Sequence, residues 1–383
     1  MSTNIKDLER KMDVLNGKHE QEHLETQKQI KDTNERVKCL EDQGKQVLEF
    51  NAAVVKDRAA IIPMSYGYYK MGNHSSVTTF LFLGFSEFPD LQLPLFALFS
   101  LLYLMAVLGN LFIICIVWAD PHLHTPMYFF LLNLSIIDIC SLTIIIPKLL
   151  SILLTNSNNI SFSRCFLQMY FYLGCLGAEF ILLTAMAYDR YVAICNPLRY
   201  IILMNKRVCA LLTGISWVAG LLELLPHTII TSQFSFCDSN VINHFFCEIS
   251  AVVKLSCTDT SVIPVITFAE GVLTVFTPFL LILISYVFII STILKIRSTE
   301  GKSRAFSTCS SHLTVIILLY GTMIGVYMQP KPWDSKKSNK LPTALYIVSL
   351  PLLNPLIYSV RSKELKVALK KVIMRKTIFL PHQ

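Results

Sequence analysis

A chain of 383 residues that is 53% hydrophobic and only 16% charged is too apolar for an ordinary water-soluble protein. Its composition fits a multi-span membrane protein of net charge +8, and no nucleic-acid partner is expected. The first 70 residues are a different material, with 12 basic and 12 acidic side chains and no long apolar run. Ile5, Leu8, Met12 and Leu15 keep a three-four spacing for two heptads, and His19, Glu22 and Thr26 then break the phase. The stretch reads as an atypical charged extension, partly helical or disordered, with a coiled coil as the alternative. No charged start leads into an apolar stretch, so no signal peptide is expected and the first span must direct its own insertion. Residues 71–93 follow as an extracellular segment with the glycosylation sequon Asn73-His74-Ser75.

Seven stretches then reach the roughly 20 mainly apolar residues that a helix needs to cross a bilayer, where every backbone N–H and C=O must be satisfied internally. They are placed at Pro94 to Trp118, Met127 to Leu149, Cys165 to Tyr188, Val208 to Ile230, Val262 to Ile293, His312 to Gln329 and Leu341 to Val360. The expected fold is an all-α membrane protein, a seven-transmembrane helix bundle over 94–360, with an amphipathic helix and tail over 361–383. A second sequon, Asn159-Ile160-Ser161, sits in a short loop close to the membrane, which argues against its use. Of the 22 Lys and Arg after residue 70, fifteen fall between spans 3 and 4, between spans 5 and 6, and after span 7. Short cytoplasmic loops are rich in Lys and Arg, so the N-terminus is expected outside and the C-terminus inside. Lys336, Lys337 and Lys340, before span 7, run against that trend.

The third apolar run ends in MAYDRYVAICNPLRY, which places Asp189 and Arg190 directly after some two dozen buried positions. A charge at the bilayer centre is costly, so both belong at the cytoplasmic end of span 3. With it stand PMYFFLLNLSIID (Pro126 to Asp138), SYVFIISTILKIRS (Ser285 to Ser298), RAFSTCSSHL (Arg304 to Leu313) and PLLNPLIYSVRS (Pro351 to Ser362). In this order and spacing the set closely resembles that of vertebrate olfactory receptors of the tetrapod type, within the rhodopsin-like G-protein-coupled class. The resemblance covers about residues 71 to 376 and has no counterpart for residues 1 to 70. It implies that Asp189, Arg190 and Tyr191 hold the resting state, and that the freed arginine meets the G protein. It assigns Asn354, Pro355 and Tyr358 to the same switch, and Pro355 also removes a backbone hydrogen bond and lets span 7 bend. Asn110, Asp138 and Glu179, with Asn354, would converge on a buried polar cluster coupled to activation. Asn196 departs from the histidine usual in the family, and Glu223 in span 4 has no nameable partner.

Cys165, Cys237, Cys247 and Cys257 lie on the outward side, where oxidation is expected, and sequence alone allows three pairings. The resemblance implies Cys165 with Cys247 and Cys237 with Cys257. His244, Cys247 and Glu248 in HFFCE also read as metal ligands, but a disulfide at Cys247 removes the thiolate, so no metal is expected. Helix geometry places Tyr172, Leu173, Leu176 and Gly177 of span 3 on one face, two to three turns below Cys165. Thr267, Gly271 and Thr274 of span 5 and Tyr320, Ile324 and Tyr327 of span 6 complete a candidate ligand lining. Its apolar and aromatic character points to a small, neutral, largely hydrophobic ligand held by one or two hydrogen bonds. After span 7, Leu365, Ala368, Leu369, Val372 and Ile373 form one apolar helical face suited to an anionic inner leaflet.

Paired repeats with interrupted helices, the mark of a transporter, and a polar pore stripe or filter are both missing. No Walker-type loop, CxxC pair or zinc-binding histidine pair supports an enzyme, and no cofactor is expected. The resemblance therefore implies an odorant receptor of the plasma membrane, in cilia of olfactory neurons. Its partners would be a small odorant, the lipid membrane and a stimulatory, olfactory-type heterotrimeric G protein that raises cyclic AMP. The alternative is a receptor of the same fold with a chemosensory role outside the nose, or a non-functional fused product.

Overall fold

The computed structural model describes residues 77–155, 157–237, 239–327, 340–362 and 364–368, without the side chains at 304, 308, 326, 327, 360 and 361. The charged extension and the sequon at Asn73 lie outside the described residues, as does most of the amphipathic face after Ala368.

Among the described residues, six helical segments are long and apolar enough to cross a membrane, and a seventh is one helix bent by 43°. Span 1 runs over Gln92–Ala119, span 2 over Pro126–Thr155 and span 3 over Phe162–Cys195. Span 4 is Lys206–Glu223 continued by Leu225–Ser232 after a break at Leu224. Span 5 is Val262–Glu270 and Thr277–Lys295, joined by a π-helical turn over Gly271–Phe276. Span 6 is the bent helix, Thr299–Tyr327, and span 7 is Lys340–Arg361.

Local chemistry sets these ends. Pro121 follows span 1 and Pro197 follows span 3, each at a residue that cannot continue a hydrogen-bonded helix. Asn205 caps span 4, its Oδ1 accepting from the N–H groups of Arg207 and Val208 at 3.0 and 3.1 Å. Span 3 is the axis of the bundle: 67% of its apolar window is buried, against 22% for spans 4 and 5, which leave more surface for lipid.

Spans 3 and 4 approach closely because glycines face each other. A Cβ added at Gly220 would lie 2.4 Å from the Ala178 nitrogen and 2.7 Å from the Gly174 carbonyl oxygen. Helices in lipid gain their contact from packing alone, so such small residues let the backbones meet.

A three-stranded sheet covers the Cys165 end of the bundle, an addition that the sequence reading lacks. β1 (Thr79–Phe82) lies between β2 (Asn159–Ser161), to which it is antiparallel, and β3 (Val241–Ile242), to which it is parallel. The register sets Phe80 opposite Ile160 and Leu81 opposite Val241. Alternation along β1 then buries Phe80 and Phe82, and Phe80 meets the rings of Phe162 and Phe236. Lys148, near the end of span 2, fastens the β2 loop by donating to the carbonyls of Ser157 and Asn159 at 2.9 and 2.7 Å.

Candidate functional site

At the end of span 3 opposite the sheet, Asp189 is fully buried and Arg190 nearly so. The Arg190 Nε donates to Asp189 Oδ2 at 2.9 Å, and Nη2 contacts the same oxygen. The remaining carboxylate oxygen, Oδ1, accepts from the Tyr200 hydroxyl at 2.8 Å. Burial and the Asp189 charge push the Tyr200 phenol well above its ordinary range, so it stays a donor. The arginine is thus held by its own neighbour, and the neighbour is held by the loop after span 3. Tyr191 turns instead toward span 5, its ring 6.0 Å from that of Phe288.

About two turns deeper, a histidine ties three spans together. His312 Nε2 lies 3.1 Å from the Leu183 carbonyl oxygen, which only accepts, so Nε2 carries the proton. Nδ1 is then an acceptor, and the Tyr286 hydroxyl donates to it at 2.9 Å. Span 6 is joined in this way to spans 3 and 5, and the sequence reading assigned no role to either side chain. The legible signal was a lone histidine among small hydroxyl residues in RAFSTCSSHL, at the start of an apolar run.

The polar cluster assembles around span 7. Pro355 has no N–H to offer the Pro351 carbonyl four residues before it, and Asn110 of span 1 fills the gap by donating to that oxygen at 2.8 Å. Asn354 Nδ2 donates to both carboxylate oxygens of Asp138, at 3.0 and 3.3 Å. Glu179 is buried beside this pair, close enough to feel the Asp138 charge. Glu179 Oε1, Asn110 Oδ1, Asn354 Oδ1 and the Tyr358 hydroxyl have no hydrogen-bond partner among the described residues.

The candidate ligand positions divide by environment. Tyr172 and Gly177 are buried, Leu173 and Leu176 half-buried, and Tyr172 meets the Phe246 ring at 5.7 Å. Gly177 faces Thr274: a Cβ there would lie 3.1 Å from Thr274 Cγ2. Tyr320 is buried, donates to the Val275 carbonyl at 3.2 Å, and packs on Phe180 and Phe279. Gly271 is half-buried, Thr267 and Ile324 are exposed, and the side chain of Tyr327 lies outside the described residues. A separate groove of about 670 Å³ contains none of these positions; Lys148, Arg164, Leu167, Gln168 and Phe171 are among its walls.

Beneath the sheet, Cys165 is bonded to Cys247 and Cys237 to Cys257, with Cα atoms 5.5 and 5.9 Å apart. Cys247 is therefore no thiolate ligand. His244 stands 3.9 Å from Glu248, and burial together with the Lys340 charge pushes its pKa down to about 3. Lys340, at the start of span 7, pairs with Glu87 of the N-terminal segment at 3.1 Å.

Spans 4 and 5 hold further polar side chains that the sequence reading left unpaired or unnoticed. His227 Nδ1 and Glu270 Oε2 are 2.8 Å apart, with the imidazole fully enclosed. Glu223, one turn before His227, interacts with the Thr274 hydroxyl and with the Glu270 charge.

Comparison with known proteins agrees with this architecture. The profile described as "Olfactory receptor" matches residues 99–376. Human "Olfactory receptor 13F1" is 47% identical over 303 residues, 79% of this chain and 95% of that protein. Mouse "Olfactory receptor 5AR1" is 47% identical over 304 residues, covering 79% of this chain and 98% of its own. The dog "Olfactory receptor-like protein OLF3" is 48% identical over 302 residues, 79% and 95% of the two chains. With its membrane-spanning helices, its profile match and this level of identity, the chain belongs to the olfactory receptor family, G-protein-coupled receptors and not enzymes.

Proposed function

We propose that the chain is an odorant receptor whose ligand binds within the helix bundle near the sheet, and whose opposite end activates a stimulatory, olfactory-type G protein. The Arg190 end then faces the cytoplasm, as the Lys/Arg-rich loops favour, and the sheet faces outward. The observation that carries the reading is the closed arrangement of Arg190, Asp189 and Tyr200, a guanidinium with its charge satisfied inside the protein. Such a group is available to a partner only when something moves. The Tyr286 to His312 to Leu183 bridge and the Asn354 to Asp138 bonds hold spans 5, 6 and 7 against spans 2 and 3. A ligand wedged between spans 3, 5 and 6 favours states in which those bridges part, and its effect is limited to its differential affinity for them. Once the bridges part, Arg190 exchanges Asp189 for carbonyls and acids of the G protein, a role that its planar fork of donors suits.

Expression of the full chain in cells that carry an olfactory-type G protein and a cyclic AMP reporter tests the coupling. A panel of small volatile compounds is expected to contain agonists that raise cyclic AMP. Agonists that raise calcium alone, with no cyclic AMP response, would place the receptor on a different G protein.

A further inference from the structure

Spans 4 and 5 lose regular α-helical geometry at the same level, and the polar groups there are not those of the switch. Span 4 breaks at Leu224, directly after Glu223, and resumes with Pro226 and His227 in its first turn. Span 5 gives way to its π-helical turn directly after Glu270, and Thr274 lies inside that turn. Single π turns within α-helices are found disproportionately at functional sites.

Two carboxyl groups dominate the chemistry of the four side chains. A carboxylate receives the His227 Nδ1 bond, so Nδ1 carries a proton. Among the described residues, His227 Nε2, Glu270 Oε1 and Glu223 Oε1 are all buried without a hydrogen-bond partner. Two carboxylate oxygens are left over, and the Nδ1 donor beside them is already engaged. Buried polar atoms left in this way cost stability unless something supplies protons to them. What complements such a set is a positively charged hydrogen-bond donor. A metal ion fits less well, since among the described residues no three His, Cys, Asp or Glu side chains are grouped to hold one. An ammonium group has three donors and a single charge.

The surroundings supply the rest of a site. Thr274 faces Gly177 of span 3, and Tyr320 next to it forms an aromatic wall with Phe180 and Phe279. Glu270 keeps 13% of its side chain exposed, so the cluster is not sealed. We infer that Glu223, His227, Glu270 and Thr274 form the head-group subsite for a small aliphatic amine, whose ammonium meets the carboxylates while its tail lies along the Gly177, Phe180 and Tyr320 wall. This rests on the odorant-receptor reading for its signal, and it replaces the neutral ligand expected from sequence with a cationic one.

Hexylamine is the probe, with 1-hexanol, hexanal and hexanoic acid as controls of equal length, on the full chain at neutral pH. Two readouts are taken: cyclic AMP in cells, and the melting temperature of the purified receptor. Hexylamine is expected to act in both, and Glu270→Gln at matched surface level is expected to weaken it at least tenfold. Glu223→Gln tests the same charge should the first variant fail to reach the surface. Amine silence in both readouts, or equal potency on wild type and both glutamine variants, overturns the inference. If the neutral probes signal while hexylamine is silent in both readouts, the receptor reading stands and the subsite falls. If hexylamine raises the melting temperature in a Glu270-dependent way without any cyclic AMP response, the subsite stands and the coupling falls.

Discussion

His312 shows how much one side chain decides in a low-dielectric interior. Its two nitrogens are committed by their partners, one to a carbonyl and one to a hydroxyl, so the ring bridges three spans in a single tautomer. Tyr286→Phe removes the hydroxyl and leaves Nδ1 buried with no donor, a loss on the order of 1–3 kcal/mol from the closed state. Each 1.4 kcal/mol is about a tenfold change in the ratio of states, so basal cyclic AMP is expected to rise at equal surface level. Basal signal at or below wild type would show that the bridge does not hold the closed state. The role was hard to read from sequence because a tyrosine and a histidine 26 residues apart acquire meaning only when their spans pack. The Asn110 to Pro351 bond has the same character, with 241 residues between its ends.

At the level of elements, the contact of spans 3 and 4 has no slack. Gly220→Ala puts a methyl carbon within 3 Å of backbone atoms of Gly174 and Ala178, which no rotamer change relieves. The helices must separate, at a cost of roughly 1–3 kcal/mol or more. Surface display and melting temperature of that variant are expected to fall together, whereas Gly214→Ala, with open space around its Cβ position, is expected to match wild type. Equal behaviour of the two variants would contradict the packing. Spans were the legible part of the fold, because some 20 apolar residues in a row leave few alternatives to a membrane helix. Interruptions within them were less legible: the breaks at Leu224 and Gly271–Phe276 leave the apolar pattern intact. The sheet was hidden because its strands are two to four residues long, too short for alternation to register. Acids inside spans could be read as sites needing partners, but only the fold brings Glu223 toward Glu270 and Thr274.

Across the whole molecule, the proposed ligand level and the proposed coupling end belong to one helix. Span 3 carries Gly177 near the first and Asp189 and Arg190 at the second, about three and a half turns apart along Phe162–Cys195. Spans 5 and 6 run past both levels and are tied to span 3 by His312, which makes them the elements that a ligand at Thr274 and Tyr320 would displace. In the proposed cycle this displacement ends in release of Arg190 to a G protein. It is tested most directly by agonist-evoked cyclic AMP in wild type and Arg190→Ala, with surface level measured on the same cells. The evoked signal is expected to disappear in the variant while surface level is kept; a normal response from Arg190→Ala would show that Arg190 is not the group released to the G protein.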